Sequence, residues 1–167
     1  MDRLTSIELA LKDVLLTIDS SVTNTQGYKY YNTVTVVNID DECIADEYGS
    51  YPTIAIYLSP DEQIESGLQG AYRNIAYFNL KCTVINDPDV SNPRFQINQK
   101  MNEILSDLKE RLSSNYHLNE TVDLVTIMSS RRQYLTGGDE FRAGDLIVSL
   151  KVQYTQMRLN PDRNTCQ

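Results

Sequence analysis

Leu4, Ile7, Leu11, Val14, Leu15 and Ile18 recur at three- and four-residue intervals. That spacing puts them on one stripe of an α-helix and predicts a helix over residues 2–18. Thr5 followed by Glu8 has the spacing of a capping box near the helix start. The polar stretch at 19–32, with Gly27 and three tyrosines, reads as a loop entering a strand. The period then changes to two. Residues 33–39 (TVTVVNI) and 51–58 (YPTIAIYL) are rich in β-branched residues and predict two strands, separated by an acidic loop at 40–50. In the second strand Ile54, Ile56 and Leu58 share a face. Residues 59–70 (SPDEQIESGLQG) hold a proline, two glycines and three acids, and predict an exposed loop.

A long third strand follows at 71–85, where Ala76, Phe78, Leu80, Cys82 and Val84 alternate with polar residues. One apolar and one polar face is the signature of an antiparallel sheet that is wet on one side. A turn cluster with two prolines occupies 86–94, where Asn92 can cap a helix and Pro93 can take its first position. Ile97, Met101, Ile104, Leu105, Leu108 and Leu112 define the stripe of that helix, which runs to about residue 113. After a loop at 115–120, residues 121–128 predict a fourth strand with room to extend through Tyr134. Thr136-Gly137-Gly138-Asp139 signals a turn, and 145–158 alternates most cleanly of all, with Leu146, Val148, Leu150, Val152 and Tyr154 on one face.

The predicted order is α-β-β-β-α-β-β. Two amphipathic helices on one face of a mostly antiparallel sheet make a two-layer α+β sandwich. No internal repeat or linker interrupts the pattern, so one domain is expected over residues 1–159, with a frayed polar tail at 160–167. The 167 residues are enough to bury a core without disulfides or metal.

Charge adds to this picture. The net charge of −8 is unevenly spread: residues 1–70 carry twelve acidic and three basic residues, and residues 71–167 carry eleven and twelve. An acidic first half disfavours a nucleic-acid-binding surface. No run of residues is apolar and long enough to span a bilayer, and the start of the chain does not have the pattern of a secretory leader. Cys43, Cys82 and Cys166 are odd in number and widely spaced, which argues against a disulfide framework or a zinc site.

Candidate chemistry is sparse. His117 is the only histidine, and it lies in a polar loop, so histidine metal clusters are excluded. No nucleophile elbow surrounds a serine. Gly137-Gly138 is followed by Asp139-Glu140, whose charge would repel phosphate. The acidic loop holding Asp40, Asp41, Glu42, Asp46 and Glu47 lacks the alternation and central glycine of a calcium loop. No catalytic residue, metal or cofactor is expected. Eleven tyrosines and no tryptophan suit wet protein interfaces as well as sheet margins.

The segment order and character resemble the tail terminator and tail-completion proteins of long-tailed bacteriophages. The resemblance is carried by the Leu4–Ile18 stripe, by YPTIAIYLSPDEQIESG, by AYRNIAYFNLKCTVI turning into NQKMNEILSDLKERL, and by RAGDLIVSLKVQYTQMR. Together these span roughly residues 2–158, and the match lies in their order rather than in one motif. The loops at 19–32 and 40–50 and the tail after Leu159 are additions relative to shorter family members.

The resemblance implies a non-enzymatic virion protein at the tail–neck junction, made in the host cytoplasm. It would form a hexameric ring that caps the tail tube, ends tube polymerisation and offers a docking face to a neck or head-completion protein, or to the sheath. DNA would pass through the ring without specific binding. On this view Asp61, Glu62 and Glu65 contact ring or tube, and the acidic loop Asp40, Asp41, Glu42, Asp46 and Glu47 lines the lumen or joins such an interface. Arg131 and Arg132 would pair across subunits. Three other expectations compete: a head-completion or neck adaptor on the portal side, a small metal-dependent hydrolase using carboxylates such as Asp46 and Glu47, and a small-ligand-binding module. Gene order separates the first of these from a terminator, and a thermal shift with divalent metal tests the second.

Overall fold

The computed structural model describes residues 3–18, 35–38, 53–65, 71–86, 91–137 and 140–157. The predicted loops at 19–32 and 40–50 and the tail at 160–167 lie outside the described residues.

Helix α1 spans Arg3–Leu15 and buries Ile7, Ala10, Leu11, Val14 and Leu15. It starts before Thr5, so Thr5 and Glu8 lie inside the helix and form no capping box. It also ends earlier than its apolar stripe. Thr17 N bonds to Val14 O and Ile18 N to Leu15 O, both three-residue spans that tighten the last turn. That turn keeps Ile18 buried beyond the end of the helix.

Helix α2 spans Pro93–Ser114. Asn92 accepts from Phe95 N at 3.2 Å. Pro93 takes the first helical position, where a missing N–H costs nothing. Ile97, Met101, Ile104, Leu108 and Leu112 are buried as the stripe requires, and Leu105 packs against the same cluster.

Five strands form one sheet: β1 (Thr35–Asn38), β2 (Thr53–Glu65), β3 (Ala71–Ile85), β4 (Leu124–Gly137) and β5 (Glu140–Met157). Their spatial order is β1-β2-β3-β5-β4. β1 runs parallel to β2, and the other neighbours are antiparallel. The fold is the expected α+β sandwich with a mostly antiparallel sheet.

Several strand boundaries differ from the sequence reading. Residues 59–65 are not a loop: β2 continues through them and pairs with β3, shifting register between Leu58 and Glu62. Pro60 sits in that irregularity, where a residue without an N–H is tolerated. β4 runs past Arg131 and Arg132 to Gly137, and β5 begins at Glu140.

The core lies between the sheet and the helices. Ile54 and Ile56 of β2, Phe78, Leu80 and Cys82 of β3 and Leu146, Val148, Leu150 and Val152 of β5 are all essentially inaccessible, and they cluster with the buried stripes of α1 and α2. Gly144 allows this contact. A Cβ there would lie 2.2 Å from Met101 Cε and 2.7 Å from Ile97 Cγ2, so a side chain at this point of β5 would force those α2 side chains to move.

Candidate assembly surfaces

The opposite face of the sheet is built from the alternate residues of the same strands. Register places Asn79, Lys81 and Thr83 of β3 against Ser149, Ile147 and Asp145 of β5. Ser129, Arg131 and Gln133 of β4 lie against those same three β5 residues. Polar side chains are tied across the strands. Ser149 Oγ donates to Asn79 Oδ1 at 2.8 Å. Thr83 Oγ1 donates to Asp145 Oδ1 at 2.7 Å. Lys81 Nζ lies 3.5 Å from Asp145 Oδ2. Asp145 is buried, and these two partners compensate the loss of water that burial imposes on its carboxylate.

Arg131 extends the row one strand further. It is exposed, across Ile147 from Lys81. Arg132, next in the chain, points to the helical side, where its Nη2 donates to Asn102 Oδ1 of α2. The two arginines therefore leave β4 on opposite faces of the sheet. Tyr134 also reaches α2, donating to Asn98 Oδ1, with the Arg94 guanidinium 5.2 Å above its ring centroid.

At the far side of the sheet, Asp61, Glu62 and Glu65 lie on β2 beyond Ile56, the last β2 residue that pairs with β1 among the described residues. The predicted set thus divides between two strands: the acids on β2 and the arginines on β4. Asp40, Asp41, Glu42, Asp46 and Glu47 lie outside the described residues, as do Tyr28, Tyr30, Tyr31, Tyr48 and Tyr51. Of the other tyrosines, Tyr57 and Tyr77 are half-buried on the polar face.

Sequence periodicity missed two features. The first is a polar row on α2, where Lys100, Glu103 and Asp107 are buried although all three have ionisable side chains. Their three- and four-residue spacing was visible, but charged residues at that spacing read as a solvated face. Lys100 Nζ donates to Ile85 O at 2.9 Å. Burial raises the Glu103 carboxyl above its ordinary range, more than the nearby Lys100 charge and a bond with Gln99 lower it. The second feature is the turn after α2. Leu118, Asn119 and Glu120 all have left-handed backbones, with φ of 45°, 53° and 65°. Buried Leu118 anchors this turn. Asn115 and Asn119 clasp it: Asn115 Nδ2 donates to Asn119 Oδ1 at 2.7 Å, and Asn119 N donates to Asn115 Oδ1 at 2.9 Å. His117 is exposed in the same turn, its ring centroid 3.9 Å from that of Tyr116 and its plane tilted by 48° to it.

Among the described residues no group of three or more His, Cys, Asp or Glu side chains could hold a metal ion. Cys82 is buried, and burial, with the Asp145 charge, pushes its thiol far above the usual range, so it stays neutral. Among the described residues no helix is long and apolar enough to cross a membrane. No protein-family model matches the chain, and no curated protein matches it.

Proposed function

We propose that this chain is a structural, non-catalytic virion protein that forms a ring with its own copies, caps a phage tail tube and presents a docking face to the neck. The observation that carries the reading is the element order. The helix, three strands, helix and two strands on which the resemblance rests form one sheet with both helices packed on it. The polar face supports the same reading. Its tyrosines and cross-linked polar rows suit contact with other protein surfaces better than a single large apolar patch would. On this reading DNA passes the ring without specific contacts.

The test is the mass of the purified protein by mass photometry, alone and mixed with tail tubes, with negative-stain imaging of the mixture. Rings, or added density at one end of the tubes, are expected. A protein that stays monomeric and ignores tube ends overturns the reading and shifts weight to a neck adaptor, which portal binding would then test.

A further inference from the structure

We infer that the outer edge of β4 docks an extended acidic segment of another protein, which joins the sheet as a further strand. Such docking does not depend on the ring.

β4 is the last strand of the sheet, and no described strand pairs with its outer side. Hydrogen bonding shows which of its residues turn their peptide groups outward. Gln153 O accepts from Asp123 N at 2.9 Å, so Gln153 directs its peptide groups towards β4. Along β5, whose pairing with β3 is unbroken, alternate residues do the same: Lys151, Ser149, Ile147 and Asp145. Their partners on β4 are Thr126, Ser129, Arg131 and Gln133. Ser130 and Arg132, which lie between those partners, therefore direct N–H and C=O groups away from the sheet. Before the register shift that follows Ile127, Val125 already uses its outward N–H, donating to Tyr116 O at 2.9 Å. Beyond the shift, the edge is a template for a strand.

Side chains define what that strand carries. Arg131 leaves β4 on the polar face and Arg132 on the helical side, and both are exposed. The bond from Arg132 to neutral Asn102 does not neutralise its charge. An added strand alternates its side chains between the same two faces, so carboxylates on either face meet a guanidinium. Met128 and Leu135 are exposed and offer apolar contact at the two ends. The segment Met128–Leu135 holds two arginines and no acidic residue, in a chain of net charge −8. Charge also selects against self-pairing. Two copies of this edge side by side would gather both pairs of arginines, and like charges placed opposite destabilise a strand pair. The edge therefore resists its own copy and admits an acidic strand, with backbone bonds supplying affinity and the arginines supplying selectivity.

The test uses the whole chain and dye-labelled peptides, read by fluorescence anisotropy at low salt. The probe alternates valine and glutamate over about eight residues, enough to lie along Met128–Leu135. Its counterpart alternates valine and lysine. Wild type is expected to bind the glutamate peptide and to hold the lysine peptide roughly tenfold or more weakly, as two charge pairs turn from attraction to repulsion. Ser130→Pro removes an outward N–H and leaves the β5 ladder intact, so it should keep the wild-type melt and lose the glutamate peptide. Arg131→Glu with Arg132→Glu should reverse the preference between the peptides, and binding of the lysine peptide shows that the variant is folded. Arg131→Glu alone keeps the bond to Asn102 and substitutes if the double variant does not fold. No binding by wild type, equal binding of the two peptides, or a Ser130→Pro variant that melts as wild type and still binds overturns the proposal. So does tighter binding of a single-stranded oligothymidylate, because a phosphate chain answers the arginines but not the backbone. An oligomer of the unliganded chain that Ser130→Pro dissolves in mass photometry would give the edge to a second copy, which also overturns it.

Discussion

Glu120 and its two predecessors hold left-handed backbones without being glycine, a conformation that costs roughly 1–2 kcal/mol per residue. Glu120 is exposed, so its side chain offsets little of that cost. Glu120→Gly is expected to raise stability by about 1 kcal/mol in urea titrations, whereas Leu118→Ala, which removes the buried anchor, should lower it by about 2–5 kcal/mol. Glu103 makes a prediction about pH. A carboxyl raised by burial keeps its proton in the folded chain while the unfolded chain has already released it. Stability from this group is therefore full below the ordinary value of 4.5 and is lost as pH rises through the folded value. Glu103→Gln should melt above wild type near neutral pH, and the gap should narrow on acidification towards 4.5. An unchanged gap across that range would count against a proton held at Glu103. Neither residue stood out in the sequence. A left-handed turn built from Leu, Asn and Glu lacks the glycine that normally marks one, and a charged residue on a helix reads as exposed until its neighbours are placed.

The elements themselves were legible wherever one face is dry. α1, α2, β3 and β5 each set a single buried stripe against a polar one, and hydrophobic period reports that contrast directly. β2 was only half legible. Ser59-Pro60-Asp61 has the composition of a turn, yet the strand passes through it because an irregular edge can accept a proline. The same reasoning explains why Asp61, Glu62 and Glu65 were expected in a loop and are found on a strand. At this scale the closest packing is between α2 and β5 at Gly144. Gly144→Ala is expected to cost about 1–3 kcal/mol by overpacking. Adding Met101→Ala, which opens space at the nearer contact, should make the two changes less than additive in a double-mutant cycle. Additive losses would mean that the helix shifts rather than collides.

Across the whole molecule the sheet is the frame, and its middle is the best supported part. β3 and β5 pair along almost their full length and have neighbours on both sides, whereas β1 pairs along four residues. Hydrogen exchange should therefore be slowest in the amides of β3 and β5 and much faster in β1. Equal protection across the five strands would contradict that hierarchy. Strand order was not legible from the sequence, because period shows which residues face the core but not which strand lies beside which. Here β5 inserts between β3 and β4. During synthesis this has a simple effect on timing. β4 leaves the ribosome before the strand that joins it to the rest of the sheet, so it has no sheet to border until β5 follows. A nascent chain therefore completes this side of its sheet last, only once β5 has emerged.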